Sequence, residues 1–241
     1  MAIINSVISG GGSTPATQYG VNLKGWCGDI NQYGNIRTDQ AVGTLSMPGL
    51  TAVWEQGFRN KFVGSTGLVG TVSFPDVTWI DYGGFENAFV DTGITGVNFG
   101  QPFSCGANSF CMAFARTPIT ALTMCVVGID STCFTSMCED CSLLRSVTLE
   151  IDSSVIIGLA EDWGVGITDI IADCFVNMIQ GCTNCVVHLY DTLWQDFNQW
   201  YEDQGEPIPY ATAQDWATFL LDVFTSGSHT GCSVVFDIDP T

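Results

Sequence analysis

The sequence predicts an α/β repeat fold: a solenoid with one parallel β-sheet, an extended N-terminal arm and a helical C-terminal cap. The prediction depends on phenylalanines that recur at regular intervals within residues 41–190, and on short β-prone stretches that follow them. It depends also on helically spaced apolar residues in the last part, 191–241. Residues 1–40 have a different character and form the predicted arm.

Composition supports a folded chain and limits its partners. Of 241 residues, 46% are hydrophobic and only 13% are charged, which is not typical of disorder. Asp and Glu number 25 against six Lys and Arg, so the net charge is −19. Such a chain repels phosphate backbones, and we expect no nucleic-acid partner. Because no stretch reaches the ~18–20 apolar residues of a membrane span, we expect no membrane insertion.

The periodic signal is a phenylalanine preceded by a small residue in five segments. Successive phenylalanines are 27, 25, 24 and 41 residues apart, and the last interval indicates an insertion around 151–171. Units of this length are in the range of leucine-rich repeats and bury their apolar skeleton only when they stack. The predicted structural core therefore comprises Phe58, Phe62, Phe85, Phe89, Phe110, Phe114, Phe134 and Phe175.

Each unit is expected to end in a strand such as 71–74, 95–99 or 146–149, because these stretches are rich in β-branched and apolar residues. Glycines and prolines that follow, such as Pro75 and Gly100, are expected to turn the chain back.

Residues 74–97 carry a more specific pattern: Pro75, the Gly84–Phe85 pair, Phe89, and Ile94 followed by Val97. This pattern resembles the BspA-like leucine-rich repeat, and the resemblance extends over residues 41–190. It implies a right-handed leucine-rich-repeat solenoid with one parallel sheet. It also implies a role as an adhesion or recognition surface without catalytic activity.

The C-terminal part predicts two helices and a strand. Asp191–Glu202 has apolar residues at helical spacing, with Asp191 as the expected N-cap. Thr212 and Asp215 resemble a capping box ahead of a second amphipathic helix. Residues 233–238 follow as a final strand. We expect this part to cover the exposed end of the last repeat, as solenoids require.

The N-terminal part predicts an assembly arm. Its apolar residues precede a glycine-rich hinge at 10–15; they are Ile3, Ile4, Val7 and Ile8. Further along are three short motifs: Tyr19–Gly20, Gly28–Asp29–Ile30 and Gly34–Asn35–Ile36. With these motifs, the first forty residues resemble N-terminal segments of structural proteins from tailed phages of gut bacteria. No export signal is visible in the sequence. The resemblance therefore implies a virion protein that is made in the host cytoplasm and released by lysis, with the arm bound to other virion proteins.

The eleven cysteines leave three interpretations open. Cys138 and Cys141, together with Cys182 and Cys185, have the spacing of a four-thiolate zinc site. Cys141 and Cys182 each lie seven residues after a repeat phenylalanine, while Cys133 and Cys174 each precede one, which favours stacked, buried free thiols. Incidental disulfides are the third possibility. On the favoured interpretation the protein has no metal and no cofactor.

Catalytic signals are weak. His188 and His229 are the only imidazoles, and no serine lies in a nucleophile elbow. Carboxylates among aromatic residues at 194–203 have the composition of a site that grips and cleaves a glycan; they are Asp196, Glu202 and Asp203. Ordinary helix amphipathicity is the favoured explanation for them, and we expect no enzymatic activity.

These observations predict a non-enzymatic phage virion structural protein, in capsid decoration or in a tail or fibre. Its recognition surface would bind a host glycan or protein during host attachment, and the apolar arm favours a homo-oligomer. A bacterial surface adhesin of the same repeat family is the alternative. A tail-associated protein that binds or degrades glycans is the second alternative.

Overall fold

The structure of the chain, a computed structural model, describes residues 21–23 and 41–239. The predicted assembly arm, with Ile3, Ile4, Val7 and Ile8, lies outside the described residues. Within those ranges the fold is α/β, with a mostly parallel arrangement of strands in three sheets and with four helices.

The main sheet has seven strands, all parallel, in the order β11-β10-β9-β8-β7-β5-β3. Its strands are β3 (Ala52–Val53), β5 (Trp79–Ile80), β7 (Phe103–Cys105), β8 (Ala121–Gly128), β9 (Ser146–Ile151), β10 (Val186–Tyr190) and β11 (Ser233–Ile238). A second parallel sheet pairs β4 (Val69–Phe74) with β6 (Gly93–Phe99). A third, antiparallel, pairs β1 (Val21–Leu23) with β2 (Ala41–Gly43).

The prediction of a leucine-rich-repeat solenoid with one parallel β-sheet is wrong. In such a solenoid every repeat adds one strand to one continuous sheet, whereas β4 and β6 here form a sheet of their own. Pro75 lies in a turn between β4 and β5, in which the Val77 N–H donates to the carbonyl of Phe74 at 3.4 Å, and Gly100 lies between β6 and β7. A Cβ at Gly100 would lie 2.6 Å from the carbonyl oxygen of Pro75, so these two connections approach as closely as only glycine allows.

The helices lie in two crossover connections of the main sheet. Between β9 and β10, where the sequence indicated an insertion, the chain forms α1 (Ser153–Trp163) and α2 (Ile167–Phe175). Between β10 and β11 it forms α3 (Leu193–Gln204) and α4 (Ala213–Thr225). Because β11 pairs with β10, the last strand extends the main sheet.

The N-caps of the last two helices differ in their side-chain hydrogen bonds. The N-cap of α3 is Thr192, without a side-chain hydrogen bond, and not the predicted Asp191. At α4 the capping box is present, because Thr212 Oγ1 accepts from the Asp215 backbone N–H and Asp215 Oδ2 accepts from the Thr212 N–H.

The eight phenylalanines of the predicted core are all buried. Phe58, Phe85, Phe110, Phe134 and Phe175 form a continuous column, with neighbouring ring centroids 5.2, 5.5, 5.7 and 5.2 Å apart. A shorter column runs beside it through Phe62, Phe89 and Phe114. The helical part joins the longer column through Phe224, whose ring centroid lies 5.9 Å from that of Phe175.

The column phenylalanines lie on irregular turns that are hydrogen-bonded to one another. The backbone N–H of Phe58 donates to the carbonyl of Gly84, and the N–H groups of Phe85, Phe110 and Phe134 donate in the same way to the next turn. Several turn residues have positive φ, and most of those are Asn, Asp or Gly, which tolerate that conformation best. Thr132 is an exception at φ 54°, where a β-branched side chain is strained.

Replacing a column phenylalanine will destabilise the fold. Phe85→Ala and Phe110→Ala should each lower the free energy of unfolding by about 3–5 kcal/mol, because each leaves a cavity among packed rings. Urea denaturation followed by circular dichroism measures the loss. The control is Leu143→Ala, an exposed position, which should cost less than about 0.5 kcal/mol. Two phenylalanine variants as stable as this control would contradict the packing described above.

Candidate functional site

The clearest surface feature is a tryptophan on the outer face of the main sheet, near its β3 end. Trp79 is in register with Ala52 on one side and Ser104 on the other, and Ser104 is in register with Gly128. The next residues along these strands point into the core, since Val53, Ile80 and Cys105 are buried. Trp79, in contrast, is 46% exposed.

Two further exposed aromatic residues lie just after the ends of β3 and β5, the strand pair that contains Trp79. Trp54 directly follows β3 and lies beside Asp81, because the Asp81 N–H donates to the carbonyl of Val53 at 2.8 Å. Tyr82 follows Asp81, and its carbonyl accepts from the Gln56 N–H at 2.8 Å. Trp54 is 56% exposed and Tyr82 is 42% exposed. We call Trp54, Trp79 and Tyr82 the aromatic patch.

The side chains around the patch are either small or polar. The in-register neighbours of Trp79 have short side chains, and Gly128 packs so tightly on Ser104 that a Cβ there would lie 2.7 Å from Ser104 Oγ. Tall side chains are therefore missing from the strand positions beside the indole. Asp81 adds a carboxylate, one oxygen of which accepts from the Tyr82 N–H at 2.7 Å. The patch thus combines exposed aromatic surface with oxygen acceptors, as ligand sites for amphipathic groups do.

Sequence reasoning missed the aromatic patch. The available signal was the alternation around Trp79 and Ile80, in which the large indole takes the outward position and the isoleucine the inward one. Trp79 lies on a short strand, whereas Trp54 and Tyr82 lie just after the ends of β3 and β5. Their proximity therefore depends on the pairing of these strands, which the sequence alone does not specify.

The carboxylates considered for glycan cleavage have other partners or lie in solvent. Asp196 accepts a hydrogen bond from Ser153 Oγ at 2.8 Å, which ties α3 to the start of α1. Asp203 accepts from Gln199 Nε2 at 2.9 Å within α3, and Glu202 is exposed. None of the three lines the cavity of about 610 Å³ that lies between α1, α2 and α3.

The two histidines are each paired with an aspartate. His188 Nδ1 lies 2.9 Å from an oxygen of Asp237 on the neighbouring strand β11. His229 Nε2 lies 3.5 Å from an oxygen of Asp222. Each pair links two surface positions, and neither adjoins the aromatic patch in the sheet order.

The ten cysteines in the described part of the chain are free thiols. Cys133, Cys138, Cys141, Cys174, Cys182 and Cys185 are all buried. Across residues 21–23 and 41–239, no group of three or more His, Cys, Asp or Glu side chains is placed to hold a metal ion. Burial raises the pKa of the Cys185 thiol to about 12, and it raises the pKa values of Cys174 and Cys182 further.

Comparisons with known proteins give no relative for this chain: no family model, no curated protein and no solved structure matches it. For the described residues, none of the helices has both the length and the apolar character needed to cross a bilayer.

The burial of the thiols predicts their reactivity. Cys111 and Cys125 are only partly buried, and iodoacetamide should alkylate them in the native protein well before Cys174, Cys182 and Cys185. Because the thiolate is the nucleophile, a raised pKa moves the reactivity of the buried thiols to higher pH. Peptide mass spectrometry of samples taken during labelling measures the order. The same labelling in urea is the control, in which the difference should vanish; equal labelling of all five thiols in the native protein would contradict the burial.

Proposed function

We propose that the protein is a non-enzymatic binding protein that attaches to a host-surface glycan through the aromatic patch. The observation that carries this proposal is the register that sets exposed Trp79 between the short side chains of Ala52 and Ser104. Large apolar side chains are rarely left exposed in a group on a soluble protein without a partner. Tryptophan and tyrosine are also the residues most enriched where binding energy concentrates.

The chemistry of the patch favours a sugar over other partners. A pyranose ring has an apolar C–H face that packs on an indole, and hydroxyl groups that donate to carboxylate oxygens. Asp81 and exposed Glu55, which adjoins Trp54, supply such oxygens. The carboxylates of Asp81 and Glu55 beside the indoles oppose polyanionic ligands, so the glycan should be neutral or should carry amino groups.

Loss of one patch indole should abolish most of the binding. Trp79→Ala is expected to weaken affinity by roughly 30-fold, the effect of removing one central aromatic contact. The measurement is titration calorimetry against a panel of purified capsular and cell-wall polysaccharides from gut bacteria. The matched control is Trp163→Ala, which removes an equally exposed indole from α1, away from the patch; it should bind as the wild type does.

Two results would overturn this assignment. One is a panel in which no neutral or amino-bearing glycan binds the wild-type protein. The other is a Trp79→Ala variant that binds as tightly as Trp163→Ala. Release of reducing ends from a bound glycan would support instead the glycan-degrading alternative.

We also propose that this binding protein is part of a phage virion, on the strength of the resemblance in its first forty residues. Deleting residues 1–13 should leave glycan binding unchanged, since the patch lies in residues 54–82, while the variant no longer enters particles. Mass spectrometry of purified particles measures incorporation, with the full-length protein supplied in parallel. A deleted variant that still incorporates would show that the arm is not the anchor.

A further inference from the structure

The last strand of the main sheet has one open edge. β11 pairs with β10 on one side, and no strand in the described part of the chain pairs with it on the other. On the β10 side, the Ser233 N–H donates to the carbonyl of Cys185 at 3.0 Å. Because successive residues of a strand direct their backbone groups to opposite sides, Val234 and Phe236 direct theirs away from β10. Such unpaired N–H and C=O groups are a template for a further strand.

β11 has few of the features that usually protect an edge strand. It is six residues long and contains neither Lys nor Pro. Its one charged side chain, Asp237, is directed towards β10, where a carboxylate oxygen lies 2.9 Å from His188 Nδ1. The irregularity in its pairing with β10 falls between Leu189 and Tyr190, beyond Phe236. The opposite edge strand, β3, has only two residues, so β11 is the edge of the main sheet that can accept a strand.

The chain itself contains a segment that suits this edge. Residues 2–8, which lie outside the described residues, hold the four apolar residues of the predicted assembly arm and match β11 in length. Residues 1–23 contain no charged side chain. Asp237 and Asp239 at the end of β11 would repel the same acidic strand of a second copy, whereas they do not repel an uncharged segment.

Distances favour pairing between copies over pairing within one chain. The segment 2–8 precedes β1 and β2, and residues 44–51 join β2 to β3, the edge opposite β11. β3 and β11 are six strand spacings apart, about 29 Å at ~4.8 Å each. A stretch of twelve residues rich in Gly, Ser and Thr, such as 9–20, has an r.m.s. length of about 17–21 Å. It is therefore short for the β11 of its own chain, while a neighbouring copy can approach to any distance.

We propose that residues 2–8 of one copy add as a strand to the outer edge of β11 in the next copy. The backbone groups of Val234 and Phe236 hydrogen-bond to the added strand. The donated segment and the receiving edge belong to opposite ends of the sheet, so the contact is head-to-tail and builds a ring or a filament. The inference rests neither on glycan binding nor on entry into particles, because it concerns copies of the purified chain.

The test combines sedimentation velocity with amide hydrogen exchange of β11 in the purified full chain at several protein concentrations. The chain should form larger species as its concentration rises. The amides of Val234 and Phe236 should then exchange at least about tenfold more slowly. The amide of Val235, which faces β10 as that of Ser233 does, is the internal control, and its exchange should not change with concentration.

A proline variant tests the donated segment without altering the described fold. Asn5→Pro/Ser6→Pro removes two successive N–H groups, so one donor is lost whichever side of the segment faces β11. This variant should stay a monomer, with fast exchange of Val234 and Phe236 at every concentration. Its matched control is Thr17→Pro/Gln18→Pro, which places the same change between the segment and β1; it should associate as the wild type does.

Four results would overturn the inference. They are a full chain that stays monomeric, an oligomer in which Val234 and Phe236 still exchange fast, association that persists in Asn5→Pro/Ser6→Pro, and protection that is independent of concentration. The last result would indicate pairing within one chain. Glycan binding and entry into particles are measured separately, so the failure of either leaves this inference standing, and the converse also holds.

Discussion

The stacking of Phe58, Phe85, Phe110, Phe134 and Phe175 is the interaction on which the rest of the structure depends. Each ring covers the next, so none of the buried rings between the ends is packed until its neighbours are present. The turns that carry them are joined by backbone hydrogen bonds in the same direction. Ring packing and hydrogen bonding therefore favour one alignment of successive turns. That alignment sets the register of the strands of the main sheet, which lead into these turns.

The register also explains why the aromatic patch exists. β3 and β5 are only two residues long, but the turns that follow them are fixed by the phenylalanine column. Because successive side chains of a strand point to opposite faces and Ile80 is buried like Val53, the side chain of Trp79 projects from the outer face of the sheet. A rigid core thus holds an exposed indole on a short strand, which suits a binding surface better than a mobile loop does.

Much of the core could be predicted from the sequence, while its division into sheets could not. The small residue before each phenylalanine, and the intervals between them, are local signals, and the structure buries all eight selected rings. The resemblance to leucine-rich repeats led to the prediction of one continuous parallel sheet. It failed at β4 and β6, because the β-prone pattern of a stretch does not state which strand it pairs with. The aromatic patch and the cavity escaped prediction for a related reason, since both join positions whose proximity depends on register or on helix packing.

The uneven distribution of charge makes the two ends of the main sheet electrostatically different. Residues 146–241 carry fifteen acidic side chains and no basic ones, and they supply β9, β10, β11 and the helices at one end of the main sheet. The aromatic patch lies at the opposite end. An anionic surface therefore repels the helical end more strongly than the end that carries the aromatic patch, within the ~8–10 Å over which salt leaves charges unscreened. Of the two ends of the sheet, the one with Trp54, Trp79 and Tyr82 is thus the end that such a surface repels less.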